Sequence, residues 1–245
     1  MNFDSLDRLK LKLDSFRPLP PEVVSNLHED LILRWTYNSN AIEGNTLTLL
    51  ETKVVLEGIT IGGKTLREHF EAINHKEAIL FIEELVQKNT DLNLHDLKAV
   101  HQLILKGIDD KNAGRYRTAN VIISGASHTP PEHYQLDEKM EQFIDWYKTE
   151  GQNLHPVERA ARVHIDFVGI HPFIDGNGRT SRLLTNFELM KDGYPAIVIP
   201  VEKRIEYYTA LDLACGQSNY DSFISFIAVC VEDSFKNYFY ALGVS

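Results

Sequence analysis

The chain has few cysteines, a deficit of basic residues and no long apolar run. Its 245 residues include two cysteines, Cys215 and Cys230, without a Cys-x-x-C or His/Cys metal spacing, which indicates a reducing compartment. No run of 18 apolar residues occurs, and the first residues do not read as a signal peptide. The formal net charge of −10 argues against nucleic acid as a partner, because such binding depends on basic surfaces. We therefore expect a cytoplasmic protein that binds neither membrane nor nucleic acid.

Strand signals are also scarce. Apolar residues recur at helical spacing through most of the chain, so we predict an all-α fold. The exception is the β-rich run 117–123, which is followed by a Ser-Gly-Ala turn signal. It predicts one small β-hairpin at about residues 115–131. Because a lone two-stranded hairpin is only marginally stable, this one must lie against the helices.

The most informative stretch is residues 171–182, which reads HPFIDGNGRTSR. A glycine-rich turn before a helical pattern gathers free backbone N–H groups and the positive end of the helix dipole, which suits phosphate. Arg179 and Arg182 lie one helical turn apart and can contact the same anion. Asp175 can hold a hard cation that bridges phosphate oxygens, and His171 can take a proton from a nucleophile. The residues alone predict a nucleotide-phosphate site with its own base.

The same stretch resembles the signature of the Fic family, HxFx(D/E)GNGRxxR, and matches it at every defined position. The resemblance implies a Fic-type helical bundle that transfers AMP from ATP to a protein hydroxyl. By that resemblance, His171 is the base toward a Ser, Thr or Tyr hydroxyl, and Asp175 is the ligand of Mg²⁺. Arg182 contacts the terminal phosphate. The full set of residues implied to bind the phosphates is Gly176, Asn177, Gly178, Arg179 and Arg182.

A second motif lies far upstream, at the end of a helix that is predicted to start near Pro21. Residues 39–44, which read SNAIEG, resemble the (S/T)xxxE(G/N) inhibitory motif found beside many Fic domains. The resemblance implies that Glu43 pairs with Arg182, with Ser39 and Gly44 as the other defined positions. Such a pair occupies the guanidinium that should bind the γ-phosphate, so that ATP enters in a non-productive pose. We therefore expect an autoinhibited adenylyltransferase.

The predicted hairpin corresponds in position to the "flap" of the Fic family. The resemblance implies that this flap pairs with an extended segment of the target protein through backbone hydrogen bonds. It also divides the chain into an N-terminal helical region, 1–58, and a catalytic domain, 59–245, which together form one compact unit. The flap residues implied to dock the target are Val121, Ile122 and Ile123.

Residues 171–240 resemble, in particular, the animal members of the family that reside in the endoplasmic reticulum. They share the string HPFIDGNGRTSRLL and the pair Tyr207–Tyr208. By that resemblance, one of these two tyrosines lines the adenine pocket. Cys215 departs from the pattern, since those relatives carry Asn there. Those relatives also remove AMP, and the sequence leaves open whether Glu43 serves that reaction here.

Several alternatives stay open. The donor can be another nucleotide, such as UTP or a phosphocholine nucleotide, because the signature binds phosphates rather than a base. The chain can also be a non-catalytic nucleotide sensor, and a homodimer is neither indicated nor excluded. Residues 58–65 satisfy the P-loop pattern GxxxxGK(S/T), which requires a preceding buried strand. The capping-box patterns Thr48-x-x-Glu51 and Thr65-x-x-Glu68 instead predict a helix on each side of that loop.

Overall fold

The computed structural model describes residues 2–244, and it is built from α-helices. Three single-turn 3₁₀ helices connect some of them. The α-helices in the described range are α1 (Asp4–Asp14), α2 (Pro21–Ile42), α3 (Leu49–Leu56), α4 (Leu66–Gln87), α5 (Leu94–Leu105), α6 (Leu136–Lys148), α7 (Pro156–Ile170), α8 (Asn177–Lys191), α9 (Arg204–Gln217) and α10 (Asp221–Ala241). The predicted all-α class is confirmed.

Both predicted capping boxes are present. The hydroxyl of Thr48 accepts a hydrogen bond from the backbone of Glu51, and the Thr65 hydroxyl accepts one from Glu68. Each glutamate reaches back to the backbone N–H of its threonine, so two free donors are satisfied at each helix start. Residues 58–65 are therefore a loop between two capped helices. Since α3, and not a strand, precedes this loop, the P-loop alternative is wrong.

Helix α8 is the centre of the bundle. It packs closely against α7 and is enclosed further by α2, α4 and α5. Both apolar and polar side chains are buried along it, the polar ones being Asn177, Arg179, Thr180, Ser181, Arg182, Thr185, Asn186 and Glu188. Buried polar groups require partners, so α8 imposes hydrogen-bonding positions on the helices around it. None of the helices between residues 2 and 244 has the length and apolar character needed to cross a lipid bilayer.

The prediction of a β-hairpin at residues 115–131 is wrong about the strands and right about the turn. Residues 115–131 cross the bundle where the flap was expected, but no part of this stretch forms a strand. The predicted turn does exist: Gly125 has a positive φ of 81°, and the N–H of Ala126 donates to the carbonyl of Ile123 at 3.2 Å. The two arms beside the turn do not pair with each other.

The reason lies at the base of this flap segment. The guanidinium of Arg117 donates to the carbonyls of Ala119 and Pro131, one on each arm, at 2.9 and 2.5 Å. The N–H of Ser127 is taken by the carboxylate of Asp212, at 2.6 Å. Side chains therefore satisfy backbone groups that a strand ladder would use, and a short hairpin has little stability of its own to compete with them.

Candidate active site

His171 occupies an uncommon backbone conformation at the end of α7. Its φ of 49° and ψ of 58° are left-handed, which few residues other than glycine adopt. Arg117 holds it there: the side-chain Nε donates to the carbonyl of His171 at 2.9 Å, and the backbone N–H donates to that of Pro172 at 2.9 Å. Arg117 is a site residue that the sequence reasoning missed.

The imidazole of His171 is kept neutral. Burial, followed by the positive charge of Arg117, lowers the pKa of His171 from its ordinary value near 6.5 to about 4. A neutral imidazole at pH 7 can accept a proton. The ring lines a cavity of about 400 Å³, whose walls also include Glu43, Gly178 and Tyr208.

The turn after His171 is held by hydrogen bonds between its own residues and by close packing at Gly176. Gly176 has a positive φ of 78°, and a Cβ there would approach the ring of His101 at 3.3 Å. The side-chain amide of Asn177 accepts from the N–H of Phe173 at 3.0 Å and donates to its carbonyl at 2.8 Å. The Asn177 side chain is thus used within the loop, and its backbone N–H belongs to the first turn of α8, where helix donors lack intrahelical partners.

His101, on α5, supports the turn from below and was not identified from the sequence as a site residue. Its ring stacks on Phe173 with centroids 3.5 Å apart. Its Nδ1 accepts from the N–H of Gly114 at 2.9 Å, so that Nε2 carries the proton and donates to the carbonyl of Asp175 at 2.9 Å. Burial lowers the pKa of His101 to about 4. The available signal was a histidine on a buried helix face, which needs two partners.

The predicted contact between Glu43 and Arg182 is present. Nη2 of Arg182 donates to Oε1 of Glu43 at 2.8 Å and to the carbonyl of Ser39 at 2.8 Å, while Nε donates to the Ser39 hydroxyl at 2.9 Å. Gly44 follows with a φ of 99°, which lets the chain turn away directly after Glu43. The end of α2 is thus joined to the buried guanidinium of α8.

The carboxylate of Glu43 lies at the start of α8. A Cβ placed on Gly178 would collide with this carboxylate and lie 3.1 Å from the guanidinium of Arg182. The absence of a side chain at residue 178 therefore permits the close approach. The amino end of a helix favours negative charge through its dipole and its free N–H groups. A side-chain anion occupies the position that suits a phosphate.

Asp175, the predicted metal ligand, is held by arginines. Its Oδ1 accepts from the N–H of Gly176 at 2.6 Å and pairs with Arg179 at 3.2 Å, and its Oδ2 pairs with Arg67 at 2.6 Å. Burial opposes the charge on Asp175, but Arg179 and then Arg67 outweigh it, so that the pKa of the carboxyl is lowered. The group stays ionised, as a metal ligand must.

The donor set around Asp175 fits Mg²⁺ only in combination with a nucleotide. Among residues 2–244 no cluster of three or more His, Cys, Asp or Glu side chains could hold a metal. Mg²⁺ in nucleotide sites commonly uses one or two carboxylates, with phosphate oxygens and water as the other ligands. A single half-exposed carboxylate beside an anion site meets that requirement.

The two tyrosines differ in position. Tyr207 is fully buried, and its hydroxyl contacts Nε2 of His164 at 2.9 Å and Nη1 of Arg182 at 3.4 Å. Tyr208 is partly exposed and contributes ring surface to the cavity. Cys215 also lines the cavity, and burial raises the pKa of its thiol to about 12. Both tyrosines line the cavity, and Tyr208 is the more exposed of the two.

The three predicted flap residues differ in their relation to the cavity. Ile123 lines the cavity, and Val121 is half-buried. The side chain of Ile122 is 93% exposed and points away from the protein interior. The structure therefore places His171, the anion site and the flap segment around one opening.

Comparison with known proteins accords with this geometry. Residues 91–189 match the model of the Fic/DOC family. The protein adenylyltransferase Fic of Drosophila grimshawi is 40% identical over 207 residues, which cover 84% of this chain and 42% of that protein. The chain spans about half the length of the curated relatives that it matches.

Two solved structures resemble the whole fold. A fragment of Fic-1 from C. elegans superposes with a TM-score of 0.89 at 32% identity, covering 98% of this chain and 72% of that one. A Fic domain containing signaling protein from Bacteroides thetaiotaomicron gives a TM-score of 0.89 at 30% identity, covering 98% of both chains. This chain belongs to the Fic/DOC family.

Proposed function

We propose that this chain is an autoinhibited protein adenylyltransferase, which transfers AMP from ATP to a Ser, Thr or Tyr hydroxyl of a target protein or of itself. The observation that carries the proposal is the convergence of a neutral, buried His171 and the anion-binding start of α8 on one cavity. The relatives from Drosophila grimshawi and Nematostella vectensis bear the name protein adenylyltransferase. Residues 59–245 supply the catalytic part and residues 1–58 the restraint, and the two free cysteines accord with a cytoplasmic location.

The positions of these groups support the following transfer step. The target hydroxyl oxygen attacks the α-phosphorus of ATP while its proton passes to the imidazole of His171. The bond from the α-phosphorus to the bridging oxygen breaks, pyrophosphate leaves, and the target carries an AMP ester. A positioned general base contributes about 10²–10⁴ in rate. The α8 start, with Gly176, Gly178 and Arg179, stabilises the charge that develops on the phosphates.

Mg²⁺ would be held by Asp175, and when bound it supplies positive charge that neutralises the phosphate oxygens. Side chains of the protein bind the other parts of the nucleotide and the target. Arg182 binds the terminal phosphate once Glu43 releases it, and Tyr208 provides a face for the adenine. The segment Val121–Ile123 presents the target chain to His171.

Glu43 restrains this reaction by occupying the place of the γ-phosphate. In the resting state its carboxylate takes both the start of α8 and one nitrogen of Arg182. ATP that enters meets a negative charge where its own terminal phosphate must bind, and its α-phosphate is displaced from His171. Release requires the end of α2 to move, while the Ser39 contacts oppose that motion.

The test is labelling by α-³²P-ATP with Mg²⁺ in a cell lysate. Glu43→Gly should increase labelling by about tenfold over the unmodified chain, because it removes a negative charge from the anion site at the start of α8. His171→Ala in the same background should abolish labelling while ATP binding persists. A parallel reaction with α-³²P-UTP identifies the donor. A folded Glu43→Gly protein that binds ATP but transfers no label from either donor would refute the proposal.

A further inference from the structure

A second ion pair, between Arg67 and Asp175, joins α4 to the signature loop. Arg67 lies in the first turn of α4, 108 positions before Asp175 in the chain. Its Nη2 donates to Oδ2 of Asp175 at 2.6 Å, and its Nε donates to Oε1 of Glu71 at 3.0 Å. The side chain is 56% exposed, so it has room to move.

The carboxylate of Asp175 has no unoccupied oxygen in this arrangement. Oδ1 is used by the N–H of Gly176 and by Arg179, both of which are parts of the buried turn. Oδ2 is used by Arg67, which comes from the surface of another helix. Of the two oxygens, Oδ2 is therefore the one whose partner is a half-exposed side chain, whereas the partners of Oδ1 lie in the turn itself.

We propose that Arg67 occupies the cation position of Asp175 in the resting protein and sets the divalent-cation requirement of nucleotide binding. This inference rests on the proposed function, since it concerns the same nucleotide site. The resting site then contains a side-chain substitute for each charged part of metal–ATP. Glu43 takes the place of the terminal phosphate, and Arg67 takes the place of the cation.

The chemistry of the two competitors makes displacement feasible. An arginine–carboxylate pair that is open to solvent is weak, whereas a divalent cation between a carboxylate and phosphates carries twice the charge at shorter distance. The contact with Glu71, four residues along α4, remains available to Arg67 after it leaves Asp175. The guanidinium is thus not left without a partner, which limits the cost of the exchange.

Because the Arg67–Asp175 pair is open to solvent, its removal should change the cation requirement only modestly. Removing a competing exposed ion pair should lower the cation concentration for half-saturation by about two- to fivefold. Arg67→Lys should give an intermediate value, because an ammonium keeps the charge but loses the planar fork. Arg34 offers a matched control: it pairs with Asp30 at 2.8 Å, its side chain is 54% exposed, and it does not line the cavity of His171.

The experiment uses Glu43→Gly protein, so that the anion site is open in every sample. The ligand is α,β-methylene-ATP, which cannot release AMP. Mn²⁺ is titrated in, and bound Mn²⁺ is measured by the loss of the free-ion EPR signal. The expected result is half-saturation at two- to fivefold lower Mn²⁺ for Arg67→Gln and no change for Arg34→Gln. In EDTA, Arg67→Gln should bind the analogue no more tightly than its parent.

The outcomes distinguish a failure of the Arg67 proposal from a failure of the proposed function. Equal or higher Mn²⁺ half-saturation in Arg67→Gln would overturn the cation-position proposal, and so would a gain in affinity that also occurs in EDTA. If the Glu43→Gly parent fails to bind the analogue both in the presence of Mn²⁺ and in the presence of Mg²⁺, then the proposed function itself fails. The inference fails with it.

Discussion

The signature loop, residues 171–182, and the flap segment, residues 115–131, face the same cavity but are held in different ways. In the loop, Asn177 joins to both backbone groups of Phe173, and His101 supports the turn from below. The flap segment is tied at its base by Arg117 and has no strand pairing along its arms. Its tip residue, Ile122, is almost wholly exposed.

This difference corresponds to the two tasks that we propose for the site. Chemistry on a phosphate needs donors and a base that are positioned before the substrate arrives, because reorganisation during the reaction costs rate. Docking of varied target segments by backbone hydrogen bonds needs free N–H and C=O groups instead. Arg117 and Asp212 take three backbone groups at the base and beside the turn, and the absence of a strand ladder leaves backbone groups of residues 121–123 for such pairing. Arg117 connects the two parts, since it contacts the flap arms and the carbonyl of His171.

The largest effect is expected from cutting that connection. In the Glu43→Gly background, Arg117→Met should lower the rate constant of AMP transfer by about 10²-fold, because a base displaced by about 1 Å loses that much. The affinity for ATP should change little, since the hydrogen bonds of the Arg117 side chain go to backbone carbonyls of His171 and the flap and not to the start of α8. Single-turnover labelling at saturating ATP measures the rate constant, and a nucleotide titration measures the affinity.

A purely structural role for Arg117 is distinguished by the pH profile. The positive charge of Arg117 helps to lower the pKa of His171, so Arg117→Met should move the acid limb of the transfer rate to higher pH. Arg117→Lys, which keeps the charge, should retain the limb near its original position. An unshifted limb in Arg117→Met, together with a lowered unfolding temperature, would assign the residue to folding alone.

His171 in the loop and His101, which supports the loop from α5, should make the protein sensitive to acid. The pKa values of His101 and His171 are both lowered to about 4 by burial, against about 6.5 in the unfolded chain. Between these values the unfolded chain binds protons that the folded one does not, so the free energy of unfolding falls as the pH decreases. From pH 8 to 5.5 the loss is about 1.4 kcal/mol for each histidine.

Urea unfolding at the two pH values checks this expectation, with His101→Gln as the test variant. The difference between pH 8 and pH 5.5 should be about 1.4 kcal/mol smaller in His101→Gln than in the unmodified chain. An identical pH dependence in both proteins would show that His101 titrates normally. The acid sensitivity of the protein would then have to come from groups other than His101.

Short sequence motifs correctly predicted those helix starts that depend on residues close together in the chain. Thr48-x-x-Glu51 and Thr65-x-x-Glu68 predict helix starts from three-residue spacing, and both form. The Gly-Asn-Gly turn likewise predicts the start of α8, because glycine adopts the positive φ found at Gly176. The resemblance of residues 39–44 to an inhibitory motif predicted the Glu43–Arg182 contact across 139 positions, which no local pattern could provide.

The features that the sequence did not predict depend on contacts between segments that are distant in the chain. The β-rich run 117–123 has the composition of a strand, but the side chain of Arg117 takes the carbonyls that pairing would use. His101 reads as one more residue on a buried helix face until the chain brings Asp175 above it. Arg67 reads as a surface arginine, and its pairing with Asp175 follows only from the packing of α4 beside the loop.

The smallest effect is expected at the tip of the flap. Ile122→Ser removes an apolar side chain that contacts solvent in the free protein, so stability and ATP affinity should stay unchanged. If the tip touches the target, the loss of that contact should reduce labelling of lysate proteins by about threefold in the Glu43→Gly background. Leu11→Ser, which alters an exposed leucine on α1, is the control for altered solubility. Equal losses in the two variants would mean that the exposed tip takes no part in docking, and the free backbone of the flap would then have to act alone.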